Sequence, residues 1–458
     1  MDIWKGGSHC GNKEPNGNKL VEWWIVALLL FGGLVSLIMT GMPIALAFIL
    51  INLIGVAVYW GGVAGLGQFI LSLFSSIGTF SLLPIVMFIL MGEVMYVSGV
   101  GFKMIDVVDK WMGRLPGRLG LVAVASATIF GTLSGSSIAT TAMLGATLTP
   151  EMEARGYKKP ISIGAVMGSG GLAMLIPPSV DAVFVAAIAE ISVGQLVIAG
   201  LIPGLVLGAL YAGYIIIRCW LQPSIGPPHE TYIPISLHEK TKLGLKYILP
   251  LGTVIFCVVG LILLGVATPT ESAALGAAAC FVLCACYRKM SWQVVKESVS
   301  GTLMITAMIL LILCGAKAFS QILAFSGTTR NLIKLVLSLP LRPIGFVLAL
   351  QGILLVLGCF VSTSAVYMMC IPLFMPIVLA LGLNPVWFGM LIVLTGEMSH
   401  TTPPFGVLLF TMKGVAAEGT TMGDIIRSGL PFLACDAMLF ALVVVFPPLA
   451  LWLPSLIR

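Results

Sequence analysis

The chain has 458 residues, of which 59% are hydrophobic and 9% charged, with a formal net charge of +6. A soluble domain carries roughly a quarter charged residues, so a surface this apolar belongs in lipid, and a soluble enzyme or binding module is excluded. The mean hydropathy of +1.09 agrees, and the alternating segments of about ten residues that mark a membrane β-barrel are absent.

The first 19 residues, MDIWKGGSHCGNKEPNGNK, are polar and glycine-rich and read as a disordered tail. The apolar stretch behind them is long enough to remain as a helix, unlike the short core of a signal peptide. Apolar runs follow at 23–39, 46–60, 200–217, 247–266, 302–316, 346–358 and 432–453. They approach or exceed the roughly 20 residues that span a bilayer, and about ten to twelve membrane-embedded elements are expected. The fold class is therefore an all-α polytopic membrane protein. Basic residues gather in short connections, at Lys110–Arg118, Arg155–Lys159, Arg288–Lys289 and Arg427. In a membrane protein these reflect topology and headgroup contacts, not nucleic-acid binding. Cys280, Cys284 and Cys286 fall close together without a partner His or a second Cys pair, so they read as small core residues and not as a metal site.

Landmarks recur about 226 positions apart. Pro43, Pro150, Gly156 and Pro177 reappear as Pro269, Pro376, Gly382 and Pro403, each offset by 226. Pro160 and Pro385 are offset by 225, and the break SGSS (134–137) has a counterpart in VSTS (361–364). Two halves broken at matching places point to a secondary transporter with a site near the midplane. The polar, proline-containing stretch 222–246 reads as the linker between a first repeat at 20–221 and a second at 247–458. Amphipathic pieces at 102–118, 289–300 and 328–338 suit helices lying at the interface.

Each half carries a hairpin interrupted at a tip rich in Ser, Thr and Gly, at 131–141 and at 358–367. Backbone groups freed at such a tip inside a membrane need ions, substrate or protein as partners. Half-helix N-termini favour anions and C-terminal carbonyls favour cations. Each hairpin is followed by a broken helix, at 164–190 and 385–417, interrupted at IPPS and TTPPFG. Prolines there cannot donate backbone hydrogen bonds, and each break is expected near the tip of its own half. Free carbonyls beside Ser and Thr hydroxyls are hard oxygen ligands of the kind Na⁺ favours.

The segments SGSSIATTAMLG, PEMEARGY, LIPPSV, AGLIPGLVLG, ATPTESAALGA, LNPVWFG and TPPFG occur in this order across the chain. In them the sequence resembles the large membrane subunit of tripartite ATP-independent periplasmic (TRAP) transporters, the DctM-like family, from about residue 21 to the C-terminus. The resemblance implies two inverted-topology repeats with two re-entrant hairpins and two broken helices, working as an elevator-type carrier. It implies Na⁺ as coupling ion and no other cofactor, and a small organic acid as cargo. It also implies a soluble periplasmic substrate-binding protein and a small four-helix membrane subunit as partners, in a bacterial inner membrane. One Na⁺ site is implied at Ser134, Ser136 and Ser137 with carbonyls near Ala173, Ile176 and Pro178. The second is implied at Gly358, Ser399, Thr402 and Phe405, and substrate near Ser136, Thr140, Ser179 and Ser364.

The chain departs from the family at GCFVST, where an acidic residue in a phrase like GMFLDP is frequent and Ser362 stands here. Thr395 and Ser399 replace an Asn and a Gly, and His400 a bulky apolar residue. Main-chain ligation survives such changes, so they bear on substrate class. Glu93, Asp181, Glu190, Glu271, Glu397 and Asp436 are acids in apolar surroundings, with Lys317 and Lys413 as candidate partners. Glu271 follows Pro269 and suits a helix N-terminus. Glu397 and Asp181 are candidates for gating, and for a proton-coupled alternative. A stand-alone secondary transporter needing no binding protein is a further alternative. An enzymatic alternative is an intramembrane serine hydrolase with a Ser134–His400 dyad, for which nothing in the sequence orients the base.

Overall fold

A computed structural model describes residues 23–457 except Gly61, Arg114, residues 228–235 and Leu341; the polar tail 1–19 lies outside the described residues. Every regular element among them is helical. The first group is α1 (Trp23–Met39), α2 (Ile44–Tyr59), α3 (Val63–Ile77), α4 (Leu83–Ser98) and α5 (Phe102–Met112). The first hairpin is α6 (Arg118–Ser134) and α7 (Ser137–Ala154). The first broken helix is α8 (Lys159–Gly170), α9 (Leu172–Leu175) and α10 (Val180–Ala189), followed by α11 (Val193–Ala199) and α12 (Leu201–Leu221).

The second half starts with α13 (Leu237–Leu243), α14 (Leu249–Ile255) and α15 (Leu261–Leu263), joined by π-turns into one rod. Then come α16 (Pro269–Cys286), α17 (Trp292–Phe325) and α18 (Thr328–Ser338). The second hairpin is α19 (Pro343–Gly358) and α20 (Thr363–Ala380), and the second broken helix is α21 (Pro385–Thr401) and α22 (Val407–Val415). The chain closes with α23 (Met422–Val445) and α24 (Pro448–Leu451).

Among the described residues six helices are long and apolar enough to cross a bilayer, or seven if Lys159–Leu175 and Val180–Ala189, bent by 44°, form one broken span. The linker ends earlier than its polarity indicates, because its last residues already form the rod that begins at α13. Lys240, Lys242 and Lys246 sit on that rod, and long side chains let a helix begin in water before it enters lipid. The amphipathic piece 289–300 is likewise no separate interface helix. Residues from Trp292 onward are the first turns of the 34-residue α17, about 51 Å long at 1.5 Å per residue. Both of its other amphipathic counterparts, α5 and α18, are separate helices of 11 residues.

Burial divides these elements. The best apolar window of α20 is 67% buried and that of the α11–α12 rod 56%, against 28% for the rod beginning at α13 and 39% for α16 and α17. The α11–α12 rod and the rod beginning at α13 share a mean hydropathy of 2.1, so hydropathy does not tell a lipid-facing helix from an interior one. The long α17 packs on α2, α3 and α4, and α4 also packs on α16. Around the hairpins, α6 and α7 pack on α8, α19 and α20 on α21, and α8 on α23. Outward-facing Phe74, Phe80 and Met304 are each more than 70% exposed, as expected of surfaces that meet acyl chains.

Candidate functional site at the hairpin tips and helix breaks

The tips are narrower than the sequence indicates. Helix α6 runs to Ser134, and only Gly135 and Ser136 separate it from α7. Gly135 has φ 59°, a left-handed conformation in which a β-carbon is costly. Ser136 then caps α7, its hydroxyl accepting from Ala139 N at 3.3 Å. In the second hairpin residues 359–362 make the turn and α20 starts at Thr363. The breaks lie at Ile176–Ser179 and at Thr402–Gly406, each holding a cis Pro–Pro bond, Pro177–Pro178 and Pro403–Pro404.

Each tip packs on the break of its own half. A β-carbon on Gly131 would lie 3.0 Å from Ala173 Cβ, and one on Gly358 2.6 Å from Ser399 Cβ. A β-carbon on Gly135 would lie 3.3 Å from the Pro178 carbonyl oxygen. These close approaches recur with the sequence offset, since Ala173 and Ser399 are 226 apart and Gly131 and Gly358 are 227 apart. A second recurring pair lies deeper. A β-carbon on Gly170 would lie 1.9 Å from Thr141 Oγ1, and one on Gly396 1.7 Å from Tyr367 Oη. Thr141 and Tyr367, like Gly170 and Gly396, are 226 apart. Residue type does not single out Thr141 or Tyr367, and the offset relates the two positions without marking either.

Several of the hydroxyls expected to meet a cation or substrate are bonded within their own segments. Ser134 Oγ lies 3.1 Å from Thr140 Oγ1, and Thr140 donates to the Ser136 carbonyl at 2.8 Å. Ser179 is fully buried, donates to the Met174 carbonyl at 2.5 Å and accepts from Ala182 N at 3.1 Å. In the second half Ser399 donates to the Gly396 carbonyl at 2.7 Å and Thr402 to the Met398 carbonyl at 2.6 Å. Ser136 and Ser364 are half-buried. Phe405 is 55% exposed, with its ring 6.2 Å from Phe360 at the second tip. Ala173 on α9 is buried, as are Ile176 and Pro178 in the first break. A hydroxyl that donates its hydrogen to a carbonyl keeps its lone pairs, so these side chains and the neighbouring main-chain carbonyls alike can offer oxygen to a cation.

The halves also touch each other. Ser137 Oγ lies 3.4 Å from His400 Nδ1, joining the first tip to the second broken helix. The Ser134–His400 dyad is therefore not formed. Ser134 turns to Thr140 across the tip, and its neighbour Ser137 faces the imidazole instead.

The acids separate by environment. Glu271 completes a capping box with Thr268 at the start of α16, accepting from Thr268 N at 2.8 Å. Glu190 pairs with Lys317 at 3.6 Å across a cavity of about 620 Å³ between the α10–α11 turn and α17. Lys413 instead donates to the Thr420 carbonyl. Asp181 is half-buried at the start of α10. Asp436 is 1% exposed and accepts from Tyr211 Oη. Glu397 is 1% exposed and sits between the two broken helices. Gln351 accepts from buried Thr395 at 2.6 Å.

The profile of the family described as "Tripartite ATP-independent periplasmic transporter, DctM component" matches residues 31–449. The large permease protein DctM of a C4-dicarboxylate TRAP transporter from Pseudomonas aeruginosa is 33% identical over 386 residues, covering 84% of this chain and 88% of that protein. The large permease protein TeaC of an ectoine TRAP transporter from Halomonas elongata is 30% identical, covering 92% of this chain and 97% of that protein. Among solved structures, the YdaH transporter of Alcanivorax borkumensis superposes with a TM-score of 0.61 at 13% identity, covering 84% of this chain and 90% of that one. The last likeness speaks to the fold, an all-helical transporter architecture. The match over nearly the whole chain speaks to descent: this multi-pass membrane protein belongs to the DctM family of TRAP transporter large permease subunits, and its relatives are transporter permeases, not hydrolases.

Proposed function

We propose that this chain is the Na⁺-coupled, substrate-translocating subunit of a TRAP importer in a bacterial inner membrane. The observation that carries the reading is the recurrence, at an offset of 226 or 227, of two close contacts between a hairpin and its broken helix. Helix breaks of this kind inside a membrane are where carriers hold ions and substrate. Carbonyls of Ala173, Ile176 and Pro178 beside Ser134, Ser136 and Ser137 form one cation site. Gly358, Ser399, Thr402 and Phe405 form the other. Both draw on main-chain oxygens, which tolerate the substitutions at Ser362, Thr395 and Ser399.

The cargo is a small carboxylate lying between the tips near Ser136, Thr140, Ser179 and Ser364, where Ser136 and Ser364 keep partial exposure. Named relatives serve C4-dicarboxylates and ectoine, which both carry carboxylates. A soluble binding protein delivers the cargo, and a small four-helix subunit completes the membrane complex. The buried hairpins and broken helices move as an elevator against the lipid-facing helices around α17. In liposomes containing both membrane subunits, with the cognate binding protein outside, uptake from a panel of small carboxylates should require an inward Na⁺ gradient. Uptake that follows a pH gradient and ignores Na⁺ would reject the coupling.

A further inference from the structure

Lys317 is the only charged residue of α17 between Glu297 and the end of the helix at Phe325. It stands eight residues from that end, about 12 Å along the axis. A lone cation at that depth in a bilayer is costly and points to a functional role. Its one charged partner among the described residues, Glu190, compensates little. The two are 3.6 Å apart, beyond hydrogen-bond length, and the Glu190 side chain is 75% exposed. A pair so loose and so open adds little stability. Glu190 also holds φ 55° where α10 ends, a left-handed conformation that favours glycine. Stability does not explain a side chain kept there at a conformational cost.

The two residues face each other across the cavity of about 620 Å³. Small-molecule sites commonly have volumes of ~300–1,000 Å³. One wall comes from α3, α4, α16 and α17, the other from α10, α11 and α20. No other charged residue lines it, and Thr79, Thr270 and Ser320 bring hydroxyls. Three helices connect this cavity with the tips. On α4, a β-carbon on Gly92 would lie 2.3 Å from the Ser134 carbonyl oxygen of the first tip, and Pro84, eight residues earlier, lines the cavity. On α10, Ser179 caps the helix at the first break, and Ala187, eight residues on, lines the cavity. On α20, Ser364 and Pro372 repeat that spacing. Eight residues of helix rise about 12 Å, so all three helices place the cavity at one depth beyond the tips.

We propose that this cavity is a second carboxylate-binding site, an antechamber in which Lys317 pairs with a carboxylate of the cargo and displaces Glu190. An ammonium has three donors, and at 3.6 Å Glu190 engages none of them in a hydrogen bond. A carboxylate that reaches hydrogen-bond distance makes the stronger, charge-assisted contact. Glu190 is then the resident competitor, holding the place of the cargo's carboxylate. The inference rests on the reading that the cargo is a small carboxylate, and adds where that group is held away from the tips.

In the test, the purified full chain in lipid nanodiscs is pulsed with acetic anhydride, and acetylation of each lysine is followed by mass spectrometry. Succinate is the probe and butane-1,4-diol its uncharged counterpart, at constant ionic strength. Succinate should slow acetylation of Lys317 severalfold and saturably while leaving exposed Lys413 unaffected, and the diol should protect neither. Glu190→Gln should lower the half-protecting succinate concentration severalfold, because it removes the competitor. Glu190→Gly should do the same, and glycine suits φ 55°, so the test survives if the Gln variant does not fold. Protection unchanged or weakened in both variants would mean a merely structural ion pair and would overturn the proposal. In the reconstituted importer, Lys317→Gln should raise KM for a carboxylate cargo severalfold with little change in kcat. An unchanged KM would overturn the antechamber and leave the transport reading standing. If no carboxylate is taken up at all, that reading fails, and the acetylation pattern still decides whether the cavity binds carboxylates. Equal protection of Lys317 by succinate and the diol, or by neither, overturns the proposal outright.

Discussion

Gly396 yields its side-chain space to Tyr367: a β-carbon there would stand 1.7 Å from the phenol oxygen and 2.7 Å from Cζ. Tyr367 is 1% exposed, so the ring has nowhere to move. Gly396→Ala should therefore destabilise at or above the upper end of the ~1–3 kcal/mol typical of overpacking. Tyr367→Phe should recover part of that loss, which a double-mutant cycle of melting temperatures would register as positive coupling. Additive effects would mean that the two residues do not compete for the same space.

The first half makes the same prediction with a smaller partner. Gly170→Ala meets Thr141 Oγ1 at 1.9 Å, and Thr141→Ala should relieve it more fully than Tyr367→Phe relieves Gly396→Ala. Thr141→Ala removes the oxygen at 1.9 Å and leaves only Cβ at 3.2 Å, while in the other pair the ring carbon at 2.7 Å remains. Equal rescue in both halves would contradict the packing described here.

Ser137 and His400 share a contact of 3.4 Å between the halves. Ser137→Ala should cost about 0.5–1.5 kcal/mol, the net worth of one ordinary hydrogen bond. Ser134→Ala should leave His400 undisturbed, because Ser134 is bonded to Thr140. A serine-reactive phosphonate should label neither wild type nor variants. Labelling that needs both Ser134 and His400 would revive the hydrolase reading.

Tyr211→Phe leaves buried Asp436 without its only hydrogen-bond donor among the described residues. A cost of about 1–3 kcal/mol is expected for that orphaned acceptor, read as a lowered melting temperature. Asp436→Asn should cost less, since the amide retains an acceptor for the Tyr211 hydroxyl.

Much of this arrangement was legible in the sequence because helix breaks inside a membrane need residues that other positions avoid. Gly135, Pro177, Pro178, Pro403 and Pro404 all mark observed interruptions. The boundaries were less legible. Lys246 read as linker and lies on a helical rod, since long basic side chains accommodate the start of a membrane helix. The start of α17 read as an interface helix because amphipathicity does not reveal that a helix continues for 34 residues. Side-chain pairings escaped residue-type reasoning almost entirely. Ser137 and not Ser134 faces His400, a choice fixed by which hydroxyl the tip turns inward. The Gly171–Glu397 meeting depends on how the halves pack, and the offset of 226 names the pair without saying that they touch.

The most direct test of Na⁺ binding at the two tips needs no substrate. Thermal melts of the purified chain would be compared in NaCl and in choline chloride of equal ionic strength. Binding to the folded state alone should raise stability with Na⁺ concentration, by about 2.7 kcal/mol at a hundredfold excess over the dissociation constant. Gly131→Ala and Gly358→Ala, which push the tips off Ala173 and Ser399, should each blunt that rise. A larger melting temperature in NaCl that both variants diminish is the predicted result, and identical melts in the two salts would contradict it.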